Sequence, residues 1–463
     1  MFSFKEYLPY YKRNLRVALP VMLTQLGASL VGLFDSIMVG HYATVDLAAV
    51  SFANALFFMA MVFAMGALMA ITPLVGVRIG EITAHPEDKD IIRHKIAVLF
   101  QNGMLFTMIQ SALMLVLLGG CLPFLEHFGQ DPEVIAVARP YYILIVISLV
   151  PFLIFTFCKQ FLEGVGNTFV AMVITLTMNA LNIFLNWIFI YGHWGVEAMG
   201  ATGAGIGSLI SRVGMALCFI AAIWFHRDWQ YYIRIFSWRS FSWQAIRQQI
   251  QIGFPIGAQT FLETFTFAAS FVIIGWISKE ALAAHQVANQ IADLTFMIAL
   301  GVGAATTIRV SHQLGAGNLH AVRMASNASI HLVLVINTIG AAMMIGLRNY
   351  IPMLFTEDTE VIAIASQLIV LAGLFQYADG LQAVGAAMLR GITDVKVPMM
   401  IAFVSYILIG LSVGLVCAFP LGMGASGIWI GFIFGLTTAA FCFHIRFRKL
   451  YQRMLTKTSK PEQ

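Results

Sequence analysis

The sequence predicts an all-α membrane protein of twelve transmembrane helices, arranged as two six-helix bundles related by a pseudo-two-fold axis. Three observations predict it. First, 59% of the 463 residues are hydrophobic and only 11% are charged, whereas soluble domains carry roughly 25% charged residues. So few charges cannot coat a water-facing surface. Second, apolar runs of about 20 residues or more, each long enough to cross a bilayer, begin near Asn14, Asp46, Ile91, Ala136, Thr168, Gly200, Gln248, Leu282, Val322, Ile362, Val397 and Gly424. Third, the chain repeats itself: residues 20–80 laid on 255–315 without a gap share 13 of 61 positions.

In chain order, the first run follows a collar of tyrosines and basic residues (Tyr7, Tyr10, Tyr11, Lys12) and is too long to be a cleaved signal segment. Arg78 to Lys95 separates the second and third runs, and Cys121 to Arg139 forms the next polar loop. Gly164 to Thr168 is a short turn, and Tyr191 to Gly200 a loop with aromatic residues at the interface. At mid-chain, His226 to Gln249 mixes Trp229, Tyr231, Tyr232, Trp238 and Trp243 with arginines such as Arg239, which suits an amphipathic segment on the inner leaflet. Domain limits follow: a first lobe over 1–226, a cytoplasmic linker over 227–247 and a second lobe over 248–463. With both termini in the cytoplasm, 23 of the 27 Lys and Arg fall on inner segments, six of them from Arg446 to Lys460. That bias sets the orientation. Basic charge here reports topology, and a nucleic-acid partner is not expected.

The repeat keeps its strongest matches together. Leu47-Ala48-Ala49 meets Leu282-Ala283-Ala284, Ala53-Asn54 meets Ala288-Asn289, and Met199-Gly200-Ala201 meets Met423-Gly424-Ala425. Both halves start on the same side, so they run parallel about an axis along the membrane normal. Gly203, Gly207 and Ser211 return in register as Gly427, Gly431 and Gly435; such stripes of small residues let helices pack closely. Pro20 and Pro255 open equivalent helices, where each frees a backbone carbonyl and permits a hinge or a static kink.

Four carboxylates fall inside spans: Asp35, Glu263, Asp293 and Asp379. An acid at this depth is costly and by default marks an ion or substrate path. Asp35 has Asn182 and Asn186 as companions, four residues apart and so on one helical face, with Ser208 as a weaker addition. Oxygen ligands of this kind suit a sodium ion, and a carboxyl group held out of water can instead carry a proton. Asn289, Gln290 and Asp293 add polar groups to the eighth span. Against the first half, Glu263 and Asp379 align with Ala28 and Phe152, and Asp35 aligns with Ser270. The halves share a scaffold and not a charge pattern. Arg212 is the mid-span cation, open to snorkelling or to pairing within its lobe; His331 is read as a packed or interfacial histidine, and Glu163 and Arg390 as contacts at equivalent turns.

Several motifs carry a family likeness: Ala18-Leu19-Pro20, Phe34-Asp35 with Met38-Val39-Gly40, Asp46-Leu47-Ala48-Ala49, Asn182-Ile183-Phe184-Leu185-Asn186 leading to Tyr191-Gly192, Gly315-Ala316-Gly317-Asn318, and Asp379 followed by Leu389-Arg390-Gly391. In this the chain resembles the multidrug and toxic compound extrusion (MATE) family, and its NorM-like branch in particular, over nearly its whole length. The resemblance implies an inverted V of two lobes around a central cleft, and export of organic cations driven by inward sodium or proton flow. It places Asp35, Asn182 and Asn186 in an N-lobe ion-coupling region. It places Glu263 and Asp379 in a C-lobe cation site, to which Asp293, Asn289, Phe375 and Tyr377 are neighbours. The branch carries a tyrosine four residues before the second acid, and this chain has Phe375 there, with Tyr377 two residues nearer; a phenyl face can still attract a cation. A sodium ion is therefore expected at Asp35 or at Glu263 and Asp379.

The expected function is a secondary antiporter for amphipathic organic cations in a bacterial-type inner membrane, acting as a monomer without a cofactor other than its coupling ion, sodium or proton. No Walker loop, HExxH or GxSxG occurs, so enzyme chemistry lacks support. The alternative is a flippase for lipid-linked oligosaccharides from the wider superfamily, which would need several cations facing the cleft to hold pyrophosphate.

Overall fold

The computed structural model describes residues 4–235, 237 and 240–458; Trp238, Arg239 and Lys460 lie outside the described residues. The helices are α1 (Phe4–Tyr42), α2 (Thr44–Leu68), α3 (Ile71–Ala84), α4 (Lys89–Gly119), α5 (Pro132–Val165), α6 (Thr168–Tyr191), α7 (Gly200–Phe225) and the short α8 (Gln230–Arg234). The second half follows with α9 (Trp243–Gly275), α10 (Lys279–Gly315), α11 (Leu319–Gly346), α12 (Thr359–Gly391), α13 (Lys396–Ala402), a π-helical stretch (Phe403–Leu411), α14 (Ser412–Ala418) and α15 (Ala425–Thr458). Taking α2 with α3, and α13 to α14 as one, twelve spans are long and apolar enough to cross a membrane. This is the predicted all-helical membrane architecture.

Helix ends fall where side chains can absorb orphan backbone groups. Asn167 Oδ1 accepts from Val170 N at 3.0 Å to open α6, and Asn318 Oδ1 accepts from Ala321 N at 2.9 Å to open α11. The glycine-rich motif before Asn318 thus makes a turn, with Gly317 at φ +67°. Asp46 does similar work at a distance: its Oδ1 accepts from Ala201 N at 2.6 Å at the start of α7. Gly200 sits at φ +52°, and a Cβ there would run into Asp46 Oδ1 and Tyr42.

The first helix begins earlier than its apolar run, because the collar has partners. Asn14 Nδ2 donates to Ala325 O and Ser329 Oγ, both at 2.9 Å, and Tyr11 Oη lies 2.7 Å from His331 Nδ1. His331 is thus part of a tyrosine clamp between α1 and α11. The mid-chain linker packs against the helices beside it. Among its described residues the helical stretches are α8 and the first residues of α9, and Trp229 and Tyr232 are buried, the latter edge-on to Phe161 at 5.4 Å. Arg93 donates to Asp228 O at 3.0 Å and lies 5.0 Å over the Tyr231 ring, while Asn102 brackets Ser240 and Ser242. Tyr231 and Tyr232 thus help to dock the linker to α4 and α5, while Trp243 is exposed.

Packing divides the chain into two compact units, and not at the linker. One comprises 1–25, 79–84 and 258–463, the other 26–78 and 85–257. The first is built around Trp429, Phe375, Phe443 and Leu368; the second buries Tyr142, Phe157, Phe161 and Phe219. The limits fall inside α1 and α9, which at 39 and 33 residues exceed the roughly 20 needed to span a bilayer. Helices of that length can give their two ends to different cores.

Without a strong hydrophobic drive between helices in lipid, close approach of small residues supplies the packing. A Cβ on Gly203 would meet the backbone of Phe189 at 2.5 Å, and one on Gly431 would meet Gly414 Cα at 2.5 Å and N at 2.6 Å. Both stripes are contact surfaces, α7 on α6 and α15 on the π stretch and α14. Gly431→Val is accordingly expected to destabilise the protein by about 1–3 kcal/mol through overpacking. Gly346→Ala, with nothing within 4 Å of the added carbon, should change stability by less than about 0.5 kcal/mol. Thermal unfolding midpoints of the purified variants in one detergent check both.

Candidate functional site

Each unit holds an acid-bearing polar cluster within its spans. In the unit of residues 26–78 and 85–257, Asp35 on α1 meets α6. Asn186 Nδ2 donates to Asp35 Oδ1 at 2.6 Å and reaches Asn182 Oδ1 at 3.4 Å. The four-residue spacing puts both amides on one face, and both are buried. Gly207 of α7 allows this: a Cβ there would strike Asn186 Oδ1, an enclosed oxygen with no hydrogen-bond partner among the described residues. Tyr191 Oη donates to Met38 O at 2.8 Å and fastens the end of α6 to α1. Ser208, the weaker candidate, makes no hydrogen bond among the described residues; it follows Gly207 and so points about 100° away from Asn186 around the helix.

Arg212 joins this cluster from the midpoint of α7. Its Nη1 donates to Ser148 Oγ at 2.6 Å, and its guanidinium carbon lies 5.4 Å from the Phe57 ring centroid and 5.1 Å from that of Phe152. Asp35 and Tyr141 are within its electrostatic reach. Among the described residues, no ion pair forms within 4.0 Å between Arg212 and a carboxylate. The sequence marked Arg212 as unusual; its resting place on Ser148 and two rings was not readable from spacing.

In the other unit, Glu263 of α9 and Asp379 of α12 are brought into one cluster. Tyr406 Oη donates to Gln382 Oε1 at 2.7 Å, and Gln382 Nε2 donates to Glu263 Oε1 at 2.6 Å. Asp379, one turn before Gln382 on α12, is 2% exposed, and its Oδ1 has no partner among the described residues. Glu263 and Asp379 act electrostatically on each other and on Tyr406, and Arg390 reaches Glu263 in the same way without a close ion pair among the described residues. A pocket opens beside them, lined by Glu263, Thr266, Phe267, Tyr406, Phe432 and Leu436.

Four neighbours stand apart from this run of hydrogen bonds. Asn289 Nδ2 donates to Asp293 Oδ2 at 3.3 Å along α10, and Asp293 reaches Asp379 through its field alone. Phe375 is 2% exposed inside a ring cluster with Phe267, Trp429 and Phe432, so its face is not offered to a cation. Tyr377 Oη donates to Thr338 Oγ1 at 3.1 Å and faces α11. The hydroxyl that does enter the acid cluster is that of Tyr406, from the π-helical stretch, acting through Gln382. Neither residue was among the sequence candidates. The signals that could have found them are a glutamine three residues past a span acid and a lone tyrosine in the run Phe403–Leu411. A π-helical turn, rare and often found at functional sites, is invisible in composition.

No group of three or more His, Cys, Asp or Glu side chains poised for a metal occurs among the described residues. A sodium ion at either cluster would therefore draw on amide, hydroxyl or backbone oxygens beside one or two carboxylates.

The MatE family model matches residues 20–188 and again 255–416, one match per half. The chain is 33% identical over 446 residues to a probable multidrug resistance protein NorM of Xanthomonas axonopodis pv. citri, covering 96% of this chain and 95% of that one. Its identity to the protein of the same name in Agrobacterium fabrum is 30% over 457 residues, covering 97% and 96%. Among solved structures it matches the eukaryotic MATE transporter AtDTX14 with a TM-score of 0.85 at 20% identity, over 97% of this chain and 99% of that one. The duplicated match, the full-length relatives and the shared twelve-span fold lead to one conclusion: this chain belongs to the MatE family.

Proposed function

We propose that the chain is a secondary active multidrug efflux antiporter, exporting amphipathic organic cations in exchange for sodium ions or protons. The observation that carries this reading is the cluster of Glu263 and Asp379, a half-buried acid bonded to Gln382 and a buried acid one turn away from that glutamine, with no close cation beside them among the described residues. Two like charges at such depth oppose each other, and a sodium ion, a proton or an organic cation relieves that cost. Guests that relieve the same charge exclude one another, which is the requirement for exchange. The names of the NorM relatives support drug-like substrates. The positive-inside count supports cytoplasmic termini in a bacterial-type inner membrane.

The hinge reading of Pro20 and Pro255 gains support from the unit limits. They fall between residues 25 and 26 and between 257 and 258, just past each proline. A proline removes one hydrogen bond of the preceding turn, so bending is least costly there.

In vesicles of purified protein, a dye cation is expected to move when an inward sodium or proton gradient is imposed, with the two ions varied separately at fixed membrane potential. Asp35→Asn, Glu263→Gln and Asp379→Asn together should abolish gradient-driven movement; undiminished efflux in that triple variant would refute the assignment. Gln382→Leu removes a hydrogen bond to a charged group, worth about 1.5–3 kcal/mol, so the coupled rate should fall about 10- to 100-fold. Tyr406→Phe removes only the outer link, a neutral bond of about 0.5–1.5 kcal/mol, and should cost about two- to tenfold in the same assay.

A further inference from the structure

Arg212 sits where a substrate is expected to sit. A guanidinium is planar, permanently charged and weakly hydrated at its faces, so aromatic rings and directional acceptors suit it. Here the Phe57 and Phe152 rings lie 5.4 and 5.1 Å from it, and Ser148 Oγ takes its Nη1 at 2.6 Å. The Ser148 hydroxyl gives its own proton to Ile145 O at 2.7 Å, which leaves a lone pair for the guanidinium. Asp35, held by Asn186 at 2.6 Å, supplies the negative field. Tyr141, whose hydroxyl donates to Asn54 Oδ1 at 3.2 Å, is the other titratable group in reach. A structural arginine at this depth is expected to hold a carboxylate directly, since a buried charge is otherwise costly. This one rests on a serine and two rings beside a carboxylate that it does not pair with.

We propose that Phe57, Ser148, Phe152 and Asp35 form a subsite for a planar, delocalised organic cation of guanidinium or amidinium chemistry, and that Arg212 is its tethered competitor, which an incoming cation displaces. The role in transport rests on the antiporter reading above; the subsite is tested by binding alone. Competition sets the specificity. A guest that cannot stack between the rings gains little by displacing Arg212, and a compact inorganic cation gains least, so this cluster selects flat cations over sodium.

The full chain is reconstituted in nanodiscs, and binding of methylguanidinium is followed by calorimetry and by the shift in thermal unfolding. Arg212→Ala empties the box and removes a like charge. It should bind methylguanidinium at least about tenfold more tightly than the wild type does. Adding Asp35→Asn to that variant should erase the gain, and sodium chloride at equal ionic strength should show none. If Arg212→Ala does not fold, Arg212→Gln serves the same comparison, because it keeps an N–H for Ser148 while losing the charge. The proposal is overturned if the folded variant binds methylguanidinium no better than the wild type, if the gain survives without the Asp35 charge, or if sodium shows an equal gain. Wild-type antiport, measured alongside, separates the two claims. Absent antiport with the expected binding gain removes the transport reading and keeps the subsite; intact antiport without the gain does the reverse.

Discussion

A carboxylate that leaves water must be given something in exchange, and that constraint orders the polar interior of this protein. The acids inside the spans meet it in different ways. Asp35 accepts from Asn186 at 2.6 Å and lies in the field of a guanidinium that is parked elsewhere. Glu263 accepts from Gln382 at 2.6 Å, and Gln382 is itself held by Tyr406. Asp379 keeps an enclosed oxygen without a partner among the described residues. None of these is a closed ion pair of the kind that holds Arg446 to Asp394, with contacts of 2.9 and 3.4 Å. Strongly paired acids secure helices; weakly satisfied ones remain open to a mobile cation.

The internal repeat fixes where helices run and leaves their chemistry free. Ser270 occupies the position equivalent to Asp35, and there the second half builds a neutral cluster. Trp429 Nε1 donates to His285 Nδ1 at 3.1 Å, the opposite ring nitrogen of His285 lies 3.0 Å from Ser270 Oγ, and Ser270 passes its proton to Phe267 O at 2.6 Å. Because indole is only a donor, the histidine is fixed as the neutral tautomer with its proton on Nε2. Phe375 packs against the same tryptophan at 5.4 Å. This explains why a ring sought beside the acids is found in the core instead: Phe375 packs on Trp429, and the groups that join the acids are Gln382, further along α12, and Tyr406 of the π stretch.

Much of this was legible in the sequence, for reasons particular residues make plain. The twelve spans follow from run length. The pairing of Asp35 with Asn186 follows from two asparagines four apart facing an acid, and the glycine stripes from their four-residue period. Asp46 and Gly200 were visible as motif residues, though their joint task, capping α7 through a backbone held at positive φ, needs coordinates. What spacing did not convey was anything set by contact between distant segments: the unit limits inside α1 and α9, the docking of the linker aromatics onto α4 and α5, and the Gln382–Tyr406 relay. Periodicity reports which face of a helix is apolar. It does not report which neighbour that face meets.

The distribution of charge gives the two clusters different physical characters. Around Asp35 one acid is matched by one base, Arg212, so an arriving cation must compete with a resident. Around Glu263 and Asp379, with Asp293 and Arg390 in electrostatic reach, acids outnumber bases, so an arriving cation relieves a surplus. On the antiporter reading, the second cluster is therefore suited to taking up a coupling ion whose only recognisable feature is its charge. The first suits a guest that brings shape as well as charge, because stacking must repay the displacement of a tethered guanidinium. A shared scaffold thus carries unequal charge in its two halves, and that inequality is a direct consequence of the positions at which the halves of the repeat differ.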